Sequence, residues 1–283
     1  MSHQSTMDIR TGSARPRQLG PGAGRAGDRF RPTPAASSPA APASLATPAS
    51  LAAPASVAAR EEVLRCRRLS HRTLVEDVSF SVHAGQAYGL FGPDAEARSA
   101  VIGMVCGLLD AGRGAVHLHG LPVRDLDPAS LHAGVGYVAR NAVVLPAGTI
   151  GDNLLIWARL GGVPEAELQI RAAEALEQVG LATRRGDPVA GCSGGTVREM
   201  GLAVALLHRP RLLVLDDPAR GLTPRRRARL VATLSGLRAT GTALLVSGRS
   251  AADVPDLCDV AGHLIDGRLT AGPADSLPGK LAS

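Results

Sequence analysis

The feature that most constrains the fold is a pair of short apolar runs, each of which ends directly at a polar loop. The first, QAYGLF at residues 86–91, leads into the segment GPDAEARS and then into a helical stretch that we place at 99–109. The second, at residues 212–215, ends at Asp216 and is followed by a helical stretch at 224–237 and another apolar run. Because strands that alternate with helices usually pair in parallel, this order predicts an α/β fold with a mainly parallel sheet.

Composition divides the chain at about residue 60. Residues 1–59 are rich in Ala, Pro, Ser, Gly and Arg and end in the near-repeat PASLAT, PASLAA and PASVAA. Such a segment cannot bury enough apolar surface to offset the entropy lost on ordering, so we expect a disordered tail. Residues 60–273 have the apolar runs of one folded domain, with a helical subdomain at about 145–200, and residues 274–283 are expected to form a flexible end.

The positive charge of the chain is concentrated in the tail. The formal net charge is +6, and residues 1–60 contribute +5 of it through seven arginines set against Asp8 and Asp28. The folded part is therefore nearly neutral, which argues against a nucleic-acid-binding domain, and we interpret Arg225–Arg227 as a solvated helix start. The tail is either a basic tether to anionic lipid or RNA, or a disordered extension or misassigned start. Its scattered charges favour the second interpretation.

The cysteines and the length of the apolar runs exclude several other classes of protein. Cys66, Cys106, Cys192 and Cys258 stand 40, 86 and 66 positions apart, without the short spacings of zinc or redox sites. We expect them to be small buried hydrophobic residues in a reducing cytoplasm. No apolar run approaches the roughly 18 residues of a membrane-spanning helix, so we expect no such helix in this sequence.

The segment Gly92–Ser99 is the candidate phosphate-binding loop. Such loops have the form G-x-x-x-x-G-K-[ST]: backbone N–H groups surround the phosphates, the lysine reaches the terminal phosphates and the hydroxyl binds magnesium. Here Ala97 stands in the place of the second glycine and Arg98 in the place of the lysine.

Asp216, at the end of the second apolar run, suits the carboxylate that holds magnesium. The predicted cofactor-binding residues of the loop are Gly92, Pro93, Asp94, Ala95, Glu96, Ala97, Arg98, Ser99 and Ala100, and the predicted metal ligands are Ser99 and Asp216.

A third segment, CSGGTVREM, lies between these two, and with it the chain resembles the ATPases of ABC transporters. Five segments occur in the family's order over roughly residues 63–272, and Ser193, Gly194 and Gly195 form the core of the family's signature, a further predicted nucleotide contact. The resemblance implies a P-loop NTPase-type fold with an antiparallel β subdomain and an inserted helical subdomain. The chain looks most like ATPases that power drug and antibiotic export and related lipid or polysaccharide export.

The resemblance also implies catalytic residues, and most of them are altered here. Arg140 replaces the glutamine that links magnesium and the attacking water to the membrane subunit, and Asp217 replaces the catalytic glutamate. Arg249 replaces the histidine that contacts the terminal phosphate, and Thr223 replaces the aspartate of the dimer-contact loop. The adenine-stacking aromatic residue expected near His71–Thr73 is missing. We therefore treat Asp217, Arg140 and Arg249 as altered catalytic positions and expect weak or lost hydrolysis.

By resemblance, the chain is expected to be the nucleotide-binding subunit of an ABC transporter, which couples binding of ATP and Mg²⁺ to a membrane-spanning subunit for export. We expect it in the cytoplasm, peripheral at the inner face of the cell membrane. It would act as a homodimer, or as a heterodimer with a competent ATPase whose phosphate loop its signature serves. The alternative is a catalytically dead ABC-fold protein that acts as a regulatory or binding module; nucleic-acid binding is disfavoured.

Three arginines at altered positions should project toward the place of the terminal phosphate. Together, Arg98, Arg140 and Arg249 would add two positive charges to the family pattern, and like charges clustered in a half-buried cleft are costly. We therefore expect one or more of them to pair with Asp216 or Asp217 when no nucleotide is bound.

Overall fold

The computed structural model describes residues 60–141 and 144–273 of the chain. The predicted disordered tail, 1–59, and the predicted flexible end, 274–283, lie outside the described residues. The described part consists of a six-stranded sheet, a four-stranded sheet and six α-helices. The strands are β1 (Glu62–His71), β2 (Val75–His83), β3 (Ala87–Phe91), β4 (Arg113–Leu118), β5 (Leu121–Pro122), β6 (Val135–Val138), β7 (Leu212–Leu215), β8 (Ala243–Gly248), β9 (Val260–Ile265) and β10 (Arg268–Pro273). The helices are α1 (Ala95–Val105), α2 (Pro128–Gly134), α3 (Ile150–Leu160), α4 (Leu168–Gln178), α5 (Gly194–Leu206) and α6 (Pro224–Ala239).

The six-stranded sheet supplies the framework of the fold. Its strand order is β10-β9-β3-β8-β7-β6, and every neighbouring pair is parallel except β10 with β9. Alternate residues of β3 enter two separate apolar cores, Ala87 and Phe91 on one face and Tyr88 and Leu90 on the other. A strand buried on both faces needs a continuous apolar sequence, which β3, β7 and β8 all have. The predicted α/β fold with a mainly parallel sheet is confirmed.

The four-stranded sheet is antiparallel and has the strand order β2-β1-β4-β5. Its inner face, which includes Leu64 and Leu69 of β1, shares an apolar core with Ile102 of α1 and Leu245 of β8. Arg65, which follows Leu64 along β1, is exposed, as expected for a strand with one buried face. The antiparallel β subdomain implied by the resemblance is therefore present.

Helices α3, α4 and α5 lie between β6 and β7 in the chain and share one apolar core. Leu154 of α3, Leu176 of α4 and Met200 of α5 are almost completely buried in it. Helix α3 begins with a capping box, in which Thr149 accepts a hydrogen bond from the backbone N–H of Asp152 (3.2 Å) and Asp152 accepts one from that of Thr149 (2.9 Å). The inserted helical part implied by the resemblance is therefore present.

The first helix begins and ends earlier than predicted. The helix predicted at 99–109 extends instead over Ala95–Val105, so that five residues of the predicted phosphate loop are helical. Asp94 caps the helix, and alanine at 97, where the loop pattern has glycine, has the highest helix propensity of any residue. Gly107 has φ +67°, a left-handed conformation that ends helices. The boundary was wrong because the prediction placed the helix after a glycine-type loop that this sequence does not form.

The described residues contain neither a metal-binding cluster nor a bilayer-spanning helix. Within them, no group of three or more His, Cys, Asp or Glu side chains could hold a metal ion. Their helices are all too short or too polar to cross a bilayer. The four cysteines are free thiols, and Cys66 and Cys106 are buried as predicted, whereas Cys192 and Cys258 are partly buried. Burial raises the pKa of the Cys106 thiol to about 12, so this group stays protonated near neutral pH.

Candidate functional site

Four predicted site residues lie at one edge of the six-stranded sheet. Gly92 follows β3, Arg249 follows β8, Asp216 follows β7 and Arg140 lies two residues after β6. These four strands are neighbours and run parallel, so the loops after them meet at the carboxyl edge of the sheet. The topology therefore assembles the predicted site from four separate stretches of chain.

The loop between β3 and α1 is only three residues long. Gly92 has φ +154°, and a Cβ atom at this position would lie 2.1 Å from the carbonyl oxygen of Leu264. Pro93 and Asp94 complete the loop and are exposed. Only glycine fits the first position, because any side chain there would collide with the backbone of β9.

The carboxylate of Asp94 caps α1. Its Oδ1 accepts hydrogen bonds from the backbone N–H groups of Glu96 (2.8 Å) and Ala97 (3.1 Å). The N-terminus of a helix attracts anions because its N–H groups lack helical partners and its dipole is positive. Here a carboxylate of the chain itself already binds two of these groups. A phosphate that used the same N–H groups would have to displace Asp94.

Arg98, in the lysine position, is folded into the protein. Its side chain is only 3% exposed, its Nη1 donates a hydrogen bond to the carbonyl oxygen of Gly92, and its Nη2 lies 3.9 Å from Oδ2 of Asp217. Burial lowers the pKa of the Arg98 guanidinium, and the nearby Asp217 carboxylate acts in the opposite direction. The charge in the lysine position is therefore held by the loop carbonyl and by a carboxylate of the protein.

Asp216 is almost completely buried, and both its carboxylate oxygens are hydrogen-bonded. Oδ2 accepts from the hydroxyl of Ser99 (2.7 Å), and Oδ1 accepts from the hydroxyl of Ser247 (3.0 Å) and from Nη2 of Arg140 (3.2 Å). Ser247 also accepts a hydrogen bond from the backbone N–H of Asp217 (3.0 Å). One network thus ties the aspartates after β7 to α1, to β8 and to the loop after β6.

Nη2 of Arg140 stands between the two predicted metal ligands. It lies 2.8 Å from Oγ of Ser99 and 3.2 Å from Oδ1 of Asp216, and it also donates to the carbonyl oxygen of Ala95 (3.0 Å). Magnesium is bound through oxygen atoms at about 2.1 Å, and here both ligand groups already hold a guanidinium nitrogen. The residues in this arrangement do not fit a magnesium ion.

The expected pairing of arginines with aspartates is confirmed for two of the three arginines. Arg140 pairs with Asp216 at 3.2 Å, and Arg98 approaches Asp217 to 3.9 Å. Arg249 is exposed and forms no ion pair with either aspartate. The site therefore contains two self-neutralised pairs, and Arg249 is placed at its margin.

The signature segment is open to solvent. Ser193 caps α5 by accepting a hydrogen bond from the backbone N–H of Thr196 (3.3 Å), and both Ser193 and Gly194 are exposed. A Cβ atom added at Gly194 would meet no heavy atom within 4 Å, whereas one at Gly195 would lie 2.8 Å from Cδ of Arg226. In the described part of the chain, no hydrogen bond or ion pair joins the signature to residues 92–99. The signature thus presents an exposed helix N-terminus that is capped by Ser193.

Arg226 and Thr223, at the start of α6, have structural roles that the sequence did not reveal. Nη1 of Arg226 lies 2.9 Å from Oε2 of Glu199 in α5, and its Nη2 donates to the hydroxyl of Ser193 (3.3 Å). Thr223 caps α6 by accepting from the backbone N–H of Arg226 (3.4 Å). Arg226 is therefore a bridge to the signature helix, so the interpretation of Arg225–Arg227 as a solvated helix start is wrong at this residue.

Sequence reasoning missed Ser247 and the capping role of Asp94. Ser247 is 2% exposed near the end of β8, and a lone hydroxyl at the carboxyl end of an otherwise apolar run was the available signal. For Asp94 the signal was an aspartate directly before the helix-favouring sequence Ala-Glu-Ala. Both residues form hydrogen bonds within the site, Ser247 to Asp216 and Asp94 to the N–H groups at the start of α1.

A parallel sheet with a phosphate-type loop after β3, an aspartate after β7 and a helical segment between them is the arrangement of P-loop ATP-binding domains. The chain belongs to the ABC transporter family, whose model matches residues 75–220. It is 27% identical to the ATP-binding subunit of an ABC transporter of known structure, with a TM-score of 0.66, covering 75% of this chain and 90% of that chain.

Two curated relatives are named for resistance and export. The linearmycin resistance ATP-binding protein of Bacillus subtilis is 32% identical over 200 residues, which cover 71% of this chain and 64% of that protein. The Nod factor export ATP-binding protein I of Ralstonia nicotianae is 31% identical over 208 residues, which cover 72% of this chain and 64% of that protein. The chain thus spans a little under two thirds of the length of these relatives.

Proposed function

We propose that this chain is the nucleotide-binding subunit of an ABC-type exporter that couples ATP binding to a separate membrane subunit, with hydrolysis weak or lost at its own phosphate loop. The observation that carries the proposal is the difference between the signature and the phosphate-loop side of the site. The signature at Ser193–Gly195 is intact and accessible, while the arginines of the loop side pair with Asp216 and Asp217. Relatives named for resistance and export support the direction of transport.

The altered residues account for the proposed loss of turnover. Asp217, in the position of the catalytic base, faces the buried guanidinium of Arg98 and is one methylene shorter than glutamate. Arg140, in the glutamine position, has no acceptor with which to orient a water molecule. Loss of a positioned base costs about 10²–10⁴ in rate and loss of an electrostatic donor about 10²–10³.

The proposed partners follow from the same contrast. In the family, each ATP lies between the phosphate loop of one subunit and the signature of the other, so the accessible signature of this chain could serve the loop of a competent ATPase in a heterodimer, or that of a second copy. Ile156 and Leu160 of α3 and Ile170 of α4 are 38%, 72% and 57% exposed. Exposed apolar residues on the helical segment suit contact with a membrane subunit at the inner face of the membrane.

The alternative function is a regulatory or binding module that uses the fold without nucleotide. It is favoured by the internal carboxylate on the first turn of α1, where Asp94 binds the N–H groups of Glu96 and Ala97. In this case the signature and the helical segment would serve as contact surfaces only.

Binding and turnover of ATP by the purified full-length chain distinguish these proposals. We expect calorimetry to detect ATP binding and a phosphate-release assay to give a kcat below about 10⁻² s⁻¹, against a median near 10 s⁻¹ for enzymes. Arg98→Lys with Asp217→Glu serves as the attempted restoration. Turnover at ordinary rates by the unaltered chain would refute the proposed loss of hydrolysis, and absence of any ATP binding would favour the regulatory module.

A further inference from the structure

We propose that the guanidinium of Arg140 takes the place of the divalent cation at this site, so that a nucleoside polyphosphate binds here without magnesium. The proposal rests on the nucleotide binding proposed above. Its basis is that Nη2 of Arg140 lies 2.8 Å from Oγ of Ser99 and 3.2 Å from Oδ1 of Asp216, the two predicted metal ligands. A metal ion and this nitrogen cannot both occupy the space between those oxygens.

The charge balance of Asp216 points the same way. Its side chain is 4% exposed, and a buried carboxylate is stable only when a cation or several donors compensate its charge. Arg140 supplies the positive charge, and the hydroxyls of Ser99 and Ser247 supply two further hydrogen bonds. The carboxylate is therefore satisfied by the chain's own groups, and no unpaired negative charge remains to attract a cation.

Arg140 can also make the second contact that magnesium makes in phosphate sites, where the ion joins protein oxygens to phosphate oxygens. All the hydrogen bonds of its guanidinium to described residues come from Nη2, and the side chain remains 21% exposed. A free guanidinium nitrogen donates charge-assisted hydrogen bonds to phosphate oxygens. Nη2 thus holds the protein side, and Nη1 is left for the anion.

Titration of the full-length chain with ATP, in EDTA and in excess Mg²⁺, tests this arrangement. We expect the Kd of the unaltered chain to agree within about twofold between the two conditions. Arg140→Gln frees Ser99 and Asp216, so we expect ATP to bind this variant roughly tenfold or more tightly with Mg²⁺ than with EDTA. Binding by the unaltered chain that requires Mg²⁺ would overturn the proposal.

Thermal unfolding without nucleotide gives an independent result. Arg140→Gln leaves Asp216 without its cation, so we expect its Tm in EDTA to fall by about 5 °C and to recover partly when Mn²⁺ is added. The Tm of the unaltered chain should not respond to Mn²⁺. The matched control is Arg238→Gln, which removes an arginine near the end of α6 that pairs with Asp259, before β9, at 3.1 Å. Neither residue is among the hydrogen-bond partners of Asp216 in the described part of the chain. The Tm of this control should fall without recovery in Mn²⁺.

The two experiments separate failure of this inference from failure of the proposed function. If no ATP binds under any condition, the nucleotide-binding proposal fails, and the Tm series still decides the role of Arg140. A rise in the Tm of the unaltered chain with Mn²⁺, or no recovery of Arg140→Gln, would show that Arg140 does not occupy a cation position.

Discussion

At the scale of single residues, the replacement of lysine by arginine changes where the charge of the loop is held. A guanidinium is planar and offers donors in two directions, so Arg98 can bond to the carbonyl oxygen of Gly92 and face Asp217 at the same time. A lysine ammonium in this position would be a single compact charge. In this chain the charged group at the lysine position thus contacts the protein's own loop and Asp217.

Removal of the Asp217 charge should destabilise the protein through Arg98. We expect Asp217→Asn to lower the free energy of unfolding by about 1–3 kcal/mol, because it leaves a guanidinium that is 3% exposed without its carboxylate. Asparagine also accepts the left-handed backbone of this residue, at φ +55°, so backbone strain adds little. Urea unfolding curves measure the difference.

The control for that variant is Asp77→Asn. Asp77 also has a left-handed backbone, at φ +53°, and pairs with Arg68 at 3.2 Å, but both side chains are more than half exposed. Solvent screens such a pair, so we expect almost no change in the free energy of unfolding. Equal losses in the two variants would contradict the assignment of a buried pair at Arg98.

At the scale of elements, we expect the start of α1 to control whether the loop can bind phosphate. We expect Arg98→Lys alone to leave ATP affinity unchanged, because the N–H groups of Glu96 and Ala97 stay bound to Asp94. Adding Ala97→Gly should weaken the first turn by about 0.5–1 kcal/mol and raise the affinity measured by calorimetry. A gain in affinity from Arg98→Lys alone would show that the lysine, and not the helix start, limits binding.

Asn153 of α3 holds the loop before that helix. Its side chain is completely buried, accepts from the backbone N–H of Leu145 (2.7 Å) and donates to the carbonyl oxygen of Thr149 (3.1 Å). Asn153→Leu leaves the Leu145 N–H without its partner, so we expect a loss of about 1–3 kcal/mol in unfolding free energy. Hydrogen exchange at Leu145 should accelerate as well. Asn141→Leu, at an exposed position, should change neither quantity.

The elements were easier to predict from the sequence than the contacts of the site. The strands and helices followed from apolar periodicity, and the mainly parallel sheet from the alternation of strands with helices, whereas the strand order β3-β8-β7 was not predicted. The early start of α1 was missed, because it depends on competition between a loop that binds ligand and a helix capped by Asp94. The position of the Arg140 side chain depends on its hydrogen bonds to Ser99 and Asp216, which lie 41 and 76 positions away in the sequence. No local sequence pattern encodes such contacts.

At the scale of the whole molecule, the signature should matter for assembly and not for folding. A Cβ atom at Gly194 meets no heavy atom within 4 Å, so we expect Gly194→Ala to retain or slightly raise the Tm. If the signature faces a second subunit, the same variant should abolish ATP-dependent association in analytical ultracentrifugation. Gly191→Ala, where a Cβ is equally unobstructed, should associate like the unaltered chain. Association of Gly194→Ala at the normal level would place the interface elsewhere.

The contact between Gly92 and β9 bears on how sequence motifs record function. Glycine is required there because any larger residue would strike the backbone of Leu264, whether or not a nucleotide ever enters the site. The first glycine of the motif is therefore required by the packing of this chain, whereas Ala97 and Arg98 are the positions at which the sequence departs from the motif. Gly92 alone is therefore not evidence of ATP binding, because its packing against Leu264 already requires glycine.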